Sequence, residues 1–220
     1  MRHVLLLGAA AFAAAMAACT ASSYSGLPFG PQPPPPVVTT FNVPASDTEP
    51  AASGTTWDVL SVQTSRTGPA GSASYTNIAI TLTFMQTNAF ASLPPPGSNI
   101  GSSGTLLGLF FLVDADQNSS TGVSGNCGGF SYGTGFDHGV DGGASFPRLA
   151  DGNFQIFSLP GRVGTGEATV SGSGGTVTVN VPITALGGTG QTNMFMGTAN
   201  ATGLPGVTTD CVPDASTIQT

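Results

Sequence analysis

The chain contains no lysine. Its positive charge rests on four arginines, Arg2, Arg66, Arg148 and Arg162, against 11 aspartates and glutamates, so that 220 residues carry a formal net charge of −7. Nucleic acid and anionic lipid surfaces are bound through basic patches, and both are excluded as partners on that ground. Charged residues of either sign make up only 7% of the chain, which leaves the surface to be built from Thr, Ser, Asn and Gly. Glutamate occurs twice, at Glu49 and Glu167, and with lysine absent the strong helix formers are scarce beyond the first twenty residues. That scarcity argues against helices and for strands. Tryptophan occurs once, at Trp57, histidine twice and cysteine three times. What is abundant is glycine (32) and proline (17), beside 40% hydrophobic residues. Many turns and one real core follow from that mixture, hence one all-β domain.

The beginning of the chain reads as an export signal. A short basic start at Arg2 and His3 leads into an apolar run from Val4, then into small residues up to Cys19. The run has the length of a signal-peptide core and falls short of a spanning helix. Met16-Ala17-Ala18-Cys19 resembles a bacterial lipobox, which makes Cys19 the expected site of lipidation and the N-terminal lipid the only contact with a membrane. The competing reading is ordinary cleavage near Ala17. Residues 20–54 hold Pro31, Pro33 to Pro36, Pro44 and Pro50 with few large apolar groups, the composition of an extended, disordered tether. Within it, Val37 to Val43 has the makings of a first edge strand.

From Trp57 the texture changes, and residues 55–220 are expected to form the folded domain. Ile78, Ile80, Leu82 and Phe84 alternate with Ala79, Thr81 and Thr83, the period-two pattern of a half-buried strand. Leu106 to Val113 is apolar on both faces and should be central. Phe136 to Val140, Phe154 to Leu159 and Asn193 to Thr198 read as further strands, and Glu167 to Val170 pairs with Thr176 to Val181 across Gly172-Ser173-Gly174-Gly175 as a hairpin. About eight or nine short strands without alternating helices predict a two-sheet antiparallel β-sandwich of jelly-roll type.

The apolar run Leu106–Val113 ends in Asp114-Ala115-Asp116-Gln117-Asn118-Ser119-Ser120-Thr121-Gly122. Asp114, Asp116 and Asn118 stand at every second position, a spacing that can aim oxygens inward around a hard cation such as Ca²⁺, which takes six to eight of them. The loop departs from an EF-hand, since Ser119 stands where the turn glycine belongs and Gly125 where the bidentate glutamate belongs. Its remaining oxygens must come from elsewhere, with Asp137 and Asp141 first and Asp58 and Asp210 behind them. The competing reading is that these carboxylates cap turns at a strand end.

Taken together, that strand and acidic loop, the stretch Gly135-Phe136-Asp137-His138, the hairpin closing in Val179-Asn180-Val181-Pro182-Ile183, an aspartate near Pro213 and the opening Trp57-Asp58-Val59-Leu60-Ser61-Val62 resemble the β-sandwich domains related to family 9 carbohydrate-binding modules and DOMON domains. The likeness spans roughly residues 55 to 215. It implies a jelly-roll sandwich, often calcium-stabilised, in exported proteins that bind sugars or small ligands. On that resemblance Asp114, Asp116 and Asn118 match the acidic loop and Asp137 the acid of the next strand, while His138 replaces the usual aromatic. Paired tryptophans for a sugar platform are missing, which leaves Phe130 and Tyr132, with Tyr75, as the aromatic candidates for a ligand.

With Cys19 assigned to lipid, Cys127 and Cys211 remain as an even pair, and a disulfide is expected between them in an exported chain. A Cys/His metal site with His138 has too few ligands. No enzyme is expected. His3 leaves with the leader, His138 has no nucleophile motif around it, and the Asp137/Asp141 pair sits in a glycine-rich setting better suited to metal or solvent than to glycoside hydrolysis. The expected product is a non-enzymatic, exported module that binds a glycan or another small ligand, or a structural lipoprotein that meets another surface protein.

Overall fold

The computed structural model describes residues 38–43, 56–68, 75–101, 105–127, 130–187, 192–200, 207–212 and 218–219. Cys19, the export signal and most of the proline-rich tether lie outside these residues. Among the described residues the chain is built of strands and two short 3₁₀ turns, Phe90–Ser92 and Ile183–Leu186. Among the described residues no helix is long and apolar enough to cross a membrane. The strands are β1 (Val38–Asn42), β2 (Val59–Thr67), β3 (Asn77–Phe84), β4 (Gly108–Asp114), β5 (Asn126–Cys127), β6 (Phe130–Ser131), β7 (His138–Gly142), β8 (Phe154–Ser158), β9 (Val163–Ser173), β10 (Thr176–Pro182), β11 (Asn193–Asn200), β12 (Val207–Val212) and β13 (Ile218–Gln219).

All strand pairs are antiparallel, and a single ladder runs β1-β2-β3-β10-β9-β8-β7-β4-β11-β12, with β13 also on β11. The all-β expectation holds in this form. The ladder is not interrupted between two layers, because β9 is 11 residues long and serves both halves. Its Val163 to Ala168 pair with β8, and its Thr169 to Ser173 pair with β10. The sheet therefore curls, and its two halves line one core. Ile78, Ile80, Leu82, Val177, Val179 and Val181 from one half join Leu109, Phe111, Val140, Ile156, Met194 and Met196 from the other.

Several elements follow from local sequence. The alternation read in β3 is realised, with Ile78, Ile80, Leu82 and Phe84 buried and the residues between them part-exposed. The hairpin β9–β10 turns at Gly174 and Gly175, with Thr176 facing Ser173 in register. Gly174 takes φ +57°, a left-handed conformation that suits glycine. The edge strand left open at Val37 to Val43 forms as β1, antiparallel on β2, so the ordered fold begins before residue 55. Trp57 is fully buried, its indole N–H donating to the Leu106 carbonyl at 3.1 Å.

The central position expected for β4 is observed, between β7 and β11. Leu109, Phe111 and Val113 enter the main core, whereas Phe110 and Leu112 point to the opposite face and pack in a second cluster with Phe136, Phe195, Tyr132 and the Cys127–Cys211 disulfide. The glycine-rich segment after the acidic loop covers this outer face. The disulfide, expected from cysteine parity, joins that cover to β12 with Cα atoms 5.9 Å apart. Close approach here depends on Gly197 of β11, which faces Phe110 in register. A Cβ at that position would meet the Phe110 ring and lie 2.8 Å from the Cys127 sulfur.

The far ends of the ladder meet as well. The Val59 backbone N–H donates to Asp210 Oδ2 at 2.7 Å, and the Thr198 hydroxyl donates to the Trp57 carbonyl at 3.2 Å. Asp58 and Asp210 are thus buried at the closure of the curl. Gly197→Ala is expected to destabilise the fold by about 1 to 3 kcal/mol, the usual range for forcing extra volume into a packed site. Urea unfolding should show the midpoint falling with an unchanged slope, and an unaltered midpoint would contradict the packing described.

Candidate metal centre

Asp114 is the last residue of β4 and falls on the outer face, with Phe110 and Leu112. Asp116 follows in the loop. Asp137 immediately precedes β7, where its backbone N–H donates to the Val113 carbonyl at 2.9 Å, which fixes it beside the end of β4. The three carboxylates each bring an oxygen within 4.8 Å of the others. They are graded from buried to exposed, Asp114 inside, Asp137 intermediate and Asp116 at the surface.

The loop is held in shape by its own oxygens. Asp116 Oδ1 accepts the Asn118 N–H at 2.9 Å and Asn118 Oδ1 accepts the Ser120 N–H at 3.0 Å, two successive Asx turns. Gln117 adopts φ 54° and Gly122 φ 66°. A Cβ on Gly122 would collide with the Phe136 carbonyl, so only glycine passes there. Asp137 Oδ2 accepts the N–H groups of Ala115 at 3.2 Å and Asp116 at 3.4 Å.

The Thr121 hydroxyl lies at the centre of an oxygen crowd. It is 2.8 Å from the Asn118 carbonyl, 3.1 and 3.2 Å from the Asp116 carboxylate oxygens and 3.3 Å from Asp137 Oδ1. A hydroxyl has one proton to donate, so most of these acceptors face it without a hydrogen between them. Asp114 adds to the imbalance. Its Oδ2 accepts from the Asn193 side-chain amide at 3.2 Å, but its buried Oδ1 has no donor in hydrogen-bond geometry, and neither has the Asn193 Oδ1. Burial pushes the Asp114 carboxyl above its ordinary pKa, the Asn193 amide and the Gln117 backbone N–H oppose that, and the neighbouring charges of Asp137 and Asp116 raise it further. Excess oxygen with too few protons, one carboxylate of it buried, is a donor set that fits a hard cation.

Of the residues expected in this set, Asp114, Asp116 and Asp137 are brought together. Asn118 lies in the same loop with its side chain turned to Ser120. Asp141 does not join them. It shares a strand face with Asp137, but four residues along a strand are roughly 13 Å. There its carboxylate is buried and accepts the N–H groups of Gly143 and Ala144, each at 2.9 Å, and of Ser145 at 3.0 Å, a turn cap. Asn193 was missed in the sequence. It comes to the site only because β11 pairs with β4 in the register Asn193↔Asp114, which no local pattern announces.

His138 faces a different environment, with its pKa lowered by burial against an opposing pull from Asp137. Tyr132 stacks flat on Phe195, ring centroids 4.0 Å apart, so one face of its ring is already taken. Phe130 pairs with Cys127 through its backbone. No family model matches the chain, and neither a curated protein nor a solved structure matches it.

Burial raises the Asp141 carboxyl to about 6, outweighing the N–H donors of Ser145, Phe146, Gly143 and Ala144. A carboxyl whose folded pKa lies above its unfolded value of 3.8 holds its proton more tightly in the native state. Its contribution therefore favours folding below about pH 4 and is withdrawn as pH rises towards 6, by roughly 3 kcal/mol at most. Melting wild type and Asp141→Asn in parallel from pH 4 to 7 should show wild type losing ground to the variant across that window. A difference that is flat, or that moves the other way, would refute it.

Proposed function

We propose that this chain is a non-enzymatic, exported β-sandwich module whose acidic loop is clamped by calcium. The observation that carries the clamp is the buried, donorless Oδ1 of Asp114 beside two further carboxylates and the Asn193 amide oxygen. Asp114, Asp116 and Asp137 would hold the ion, with Asn118 and Asn193 as neighbouring oxygen donors. The ion would neutralise the crowd around Thr121 and tie the end of β4 to the start of β7. The resemblance of this loop and of the Val179-to-Ile183 hairpin to family 9 carbohydrate-binding modules and DOMON domains supports the same reading, including two layers within the curled sheet. In this reading the ion's role is structural.

For the module's partner, a glycan or small ligand was expected at Phe130 and Tyr132. The ring contact of Tyr132 with Phe195 reduces what that residue can offer a sugar. The competing role, a structural or assembly module that meets another protein through a Thr-rich face, is supported by the outer face of β1, β2, β3, β10 and β9. There Thr, Ser, Asn and Gln stand in register across five strands. We therefore favour surface contact over small-ligand capture. The disulfide is compatible with an extracytoplasmic setting. Lipidation at Cys19 completes the proposal, with the proline-rich segment as its tether.

Calcium at a hundredfold excess over its dissociation constant should stabilise the fold by ~2.7 kcal/mol, a rise of several degrees in melting midpoint over a chelator-treated sample. Asp114→Asn and Asp116→Asn should remove the shift, and an unchanged midpoint at millimolar calcium would sink the clamp. A glycan array run with calcium and with chelator should stay blank, and bound sugars would return the function to ligand capture. Intact mass of the mature protein should begin at a lipid-modified Cys19; a mass that corresponds to cleavage near Ala17 would remove the anchor.

A further inference from the structure

Two segments of the chain carry the acceptor pattern for N-linked glycosylation, an asparagine followed two residues on by a hydroxyl side chain with no proline between. They are Asn118-Ser119-Ser120 and Asn200-Ala201-Thr202. The fold separates them. Asn200 is the last residue of β11, fully buried, and faces Val207 of β12 in register. No enzyme can bring a saccharide to that amide in the folded chain. Asn118 lies in the bend after β4, where every residue from Asp116 to Gly122 is exposed.

The bend also leaves the reactive end of the amide open. Asn118 Oδ1 accepts the Ser120 N–H at 3.0 Å, and only the oxygen of an amide accepts, so the nitrogen is the end left over. That Nδ2 group donates to nothing among the described residues. Turn capping accounts for the oxygen alone. Asp116 makes the same kind of turn with a carboxylate, holding the Asn118 N–H at 2.9 Å, so the turn itself does not call for an amide. Asp116 also stands two residues before Asn118, which gives this segment the acid-first form that bacterial acceptor sites take, whereas Thr198 holds that place before Asn200.

We propose that Asn118 is the attachment site of an N-linked glycan. The donor is a saccharide carried on a lipid diphosphate, and the catalyst is a membrane-bound transferase on the outer side of the export membrane. Asn118 Nδ2 forms a bond to the anomeric carbon of the sugar and the bond from that carbon to the diphosphate oxygen breaks. The lipid diphosphate leaves, and one amide proton passes to a base of the transferase. Neither oxidant nor reductant enters. The proposal rests on the export of the chain. It is compatible with the calcium clamp, because the ion would take oxygens of the loop and the glycan takes a nitrogen. With only 7% charged residues the chain has little charge to keep its surface solvated, and a glycan is bulky and solubilising.

Trypsin cuts this lysine-free chain only after arginine. Once the disulfide is reduced, it places the two acceptor patterns on different peptides, 67–148 and 163–220, with the start of the mature chain on the peptide that ends at Arg66. In full-length protein purified from the cells that make it, peptide 67–148 should carry the added mass of sugar residues, located on Asn118 by fragmentation, and 163–220 should have the mass of its sequence. Ser120→Ala keeps the Asx turn, which uses only the backbone N–H of that residue, and should return 67–148 to the mass of its sequence. Ser120→Thr should keep the glycan. Asn118→Gln should lose it, and Ser120→Ala decides the matter where that variant misfolds. An unmodified 67–148 beside an N-terminal peptide trimmed of its leader overturns the glycan and leaves export standing, whereas an untrimmed leader overturns both. Sugar that persists in Ser120→Ala, or that lies on 163–220, also overturns the assignment.

Discussion

A strand that is apolar on both sides must be covered on both sides, and β4 imposes that condition on everything around it. Leu109, Phe111 and Val113 are satisfied by the core enclosed within the curl. Phe110 and Leu112 look outward and would lie in water without the segment that folds back over them. That segment can come close because it is rich in glycine and because Gly197 opposite lacks a side chain. The disulfide then fastens the cover to β12. Closing a loop across 84 residues removes conformational freedom from the unfolded chain worth about 4 to 5 kcal/mol in the entropic account.

The acidic loop is the bend by which the chain passes from the buried strand to its cover. A bend at that point has to leave the hydrophobic layer quickly and turn tightly, and Asx turns at Asp116 and Asn118 do both. They cap the turn, as the simpler of the two sequence readings held, but capping accounts for only part of the oxygen present. The buried Asp114 keeps an Oδ1 with no donor in hydrogen-bond geometry. The contrast with Asp141 is instructive, since the same residue type on the same sheet face accepts from three successive backbone N–H groups. Donor supply, more than acidity, separates the two carboxylates.

What the sequence made legible were features with a local signature. The period-two pattern of Ile78 to Phe84, the turn at Gly174-Gly175, the buried run ending at Asp114 and the pairing of Cys127 with Cys211 all reappear in the fold. Residues Val207 to Val212 gave no strand signal, because Asp210 and Cys211 are buried there by partners far away in the chain and not by alternation. The continuity of the ladder through β9 was hidden for a related reason, as its eleven residues alternate weakly and include several glycines. Asp141 was grouped with Asp137 as a further source of oxygens, and nothing in the sequence set its distance from the loop. Asn193 was invisible until the register of β11 on β4 was known.

The bond from Val59 N–H to Asp210 joins positions 151 residues apart. Synthesis delivers a chain from its N-terminus, so β2 emerges long before the carboxylate that completes it. Until β12 arrives, one end of the curl has no closing partner, and contacts at such separation form slowly. The curl becomes a finished object only when its last strands are free.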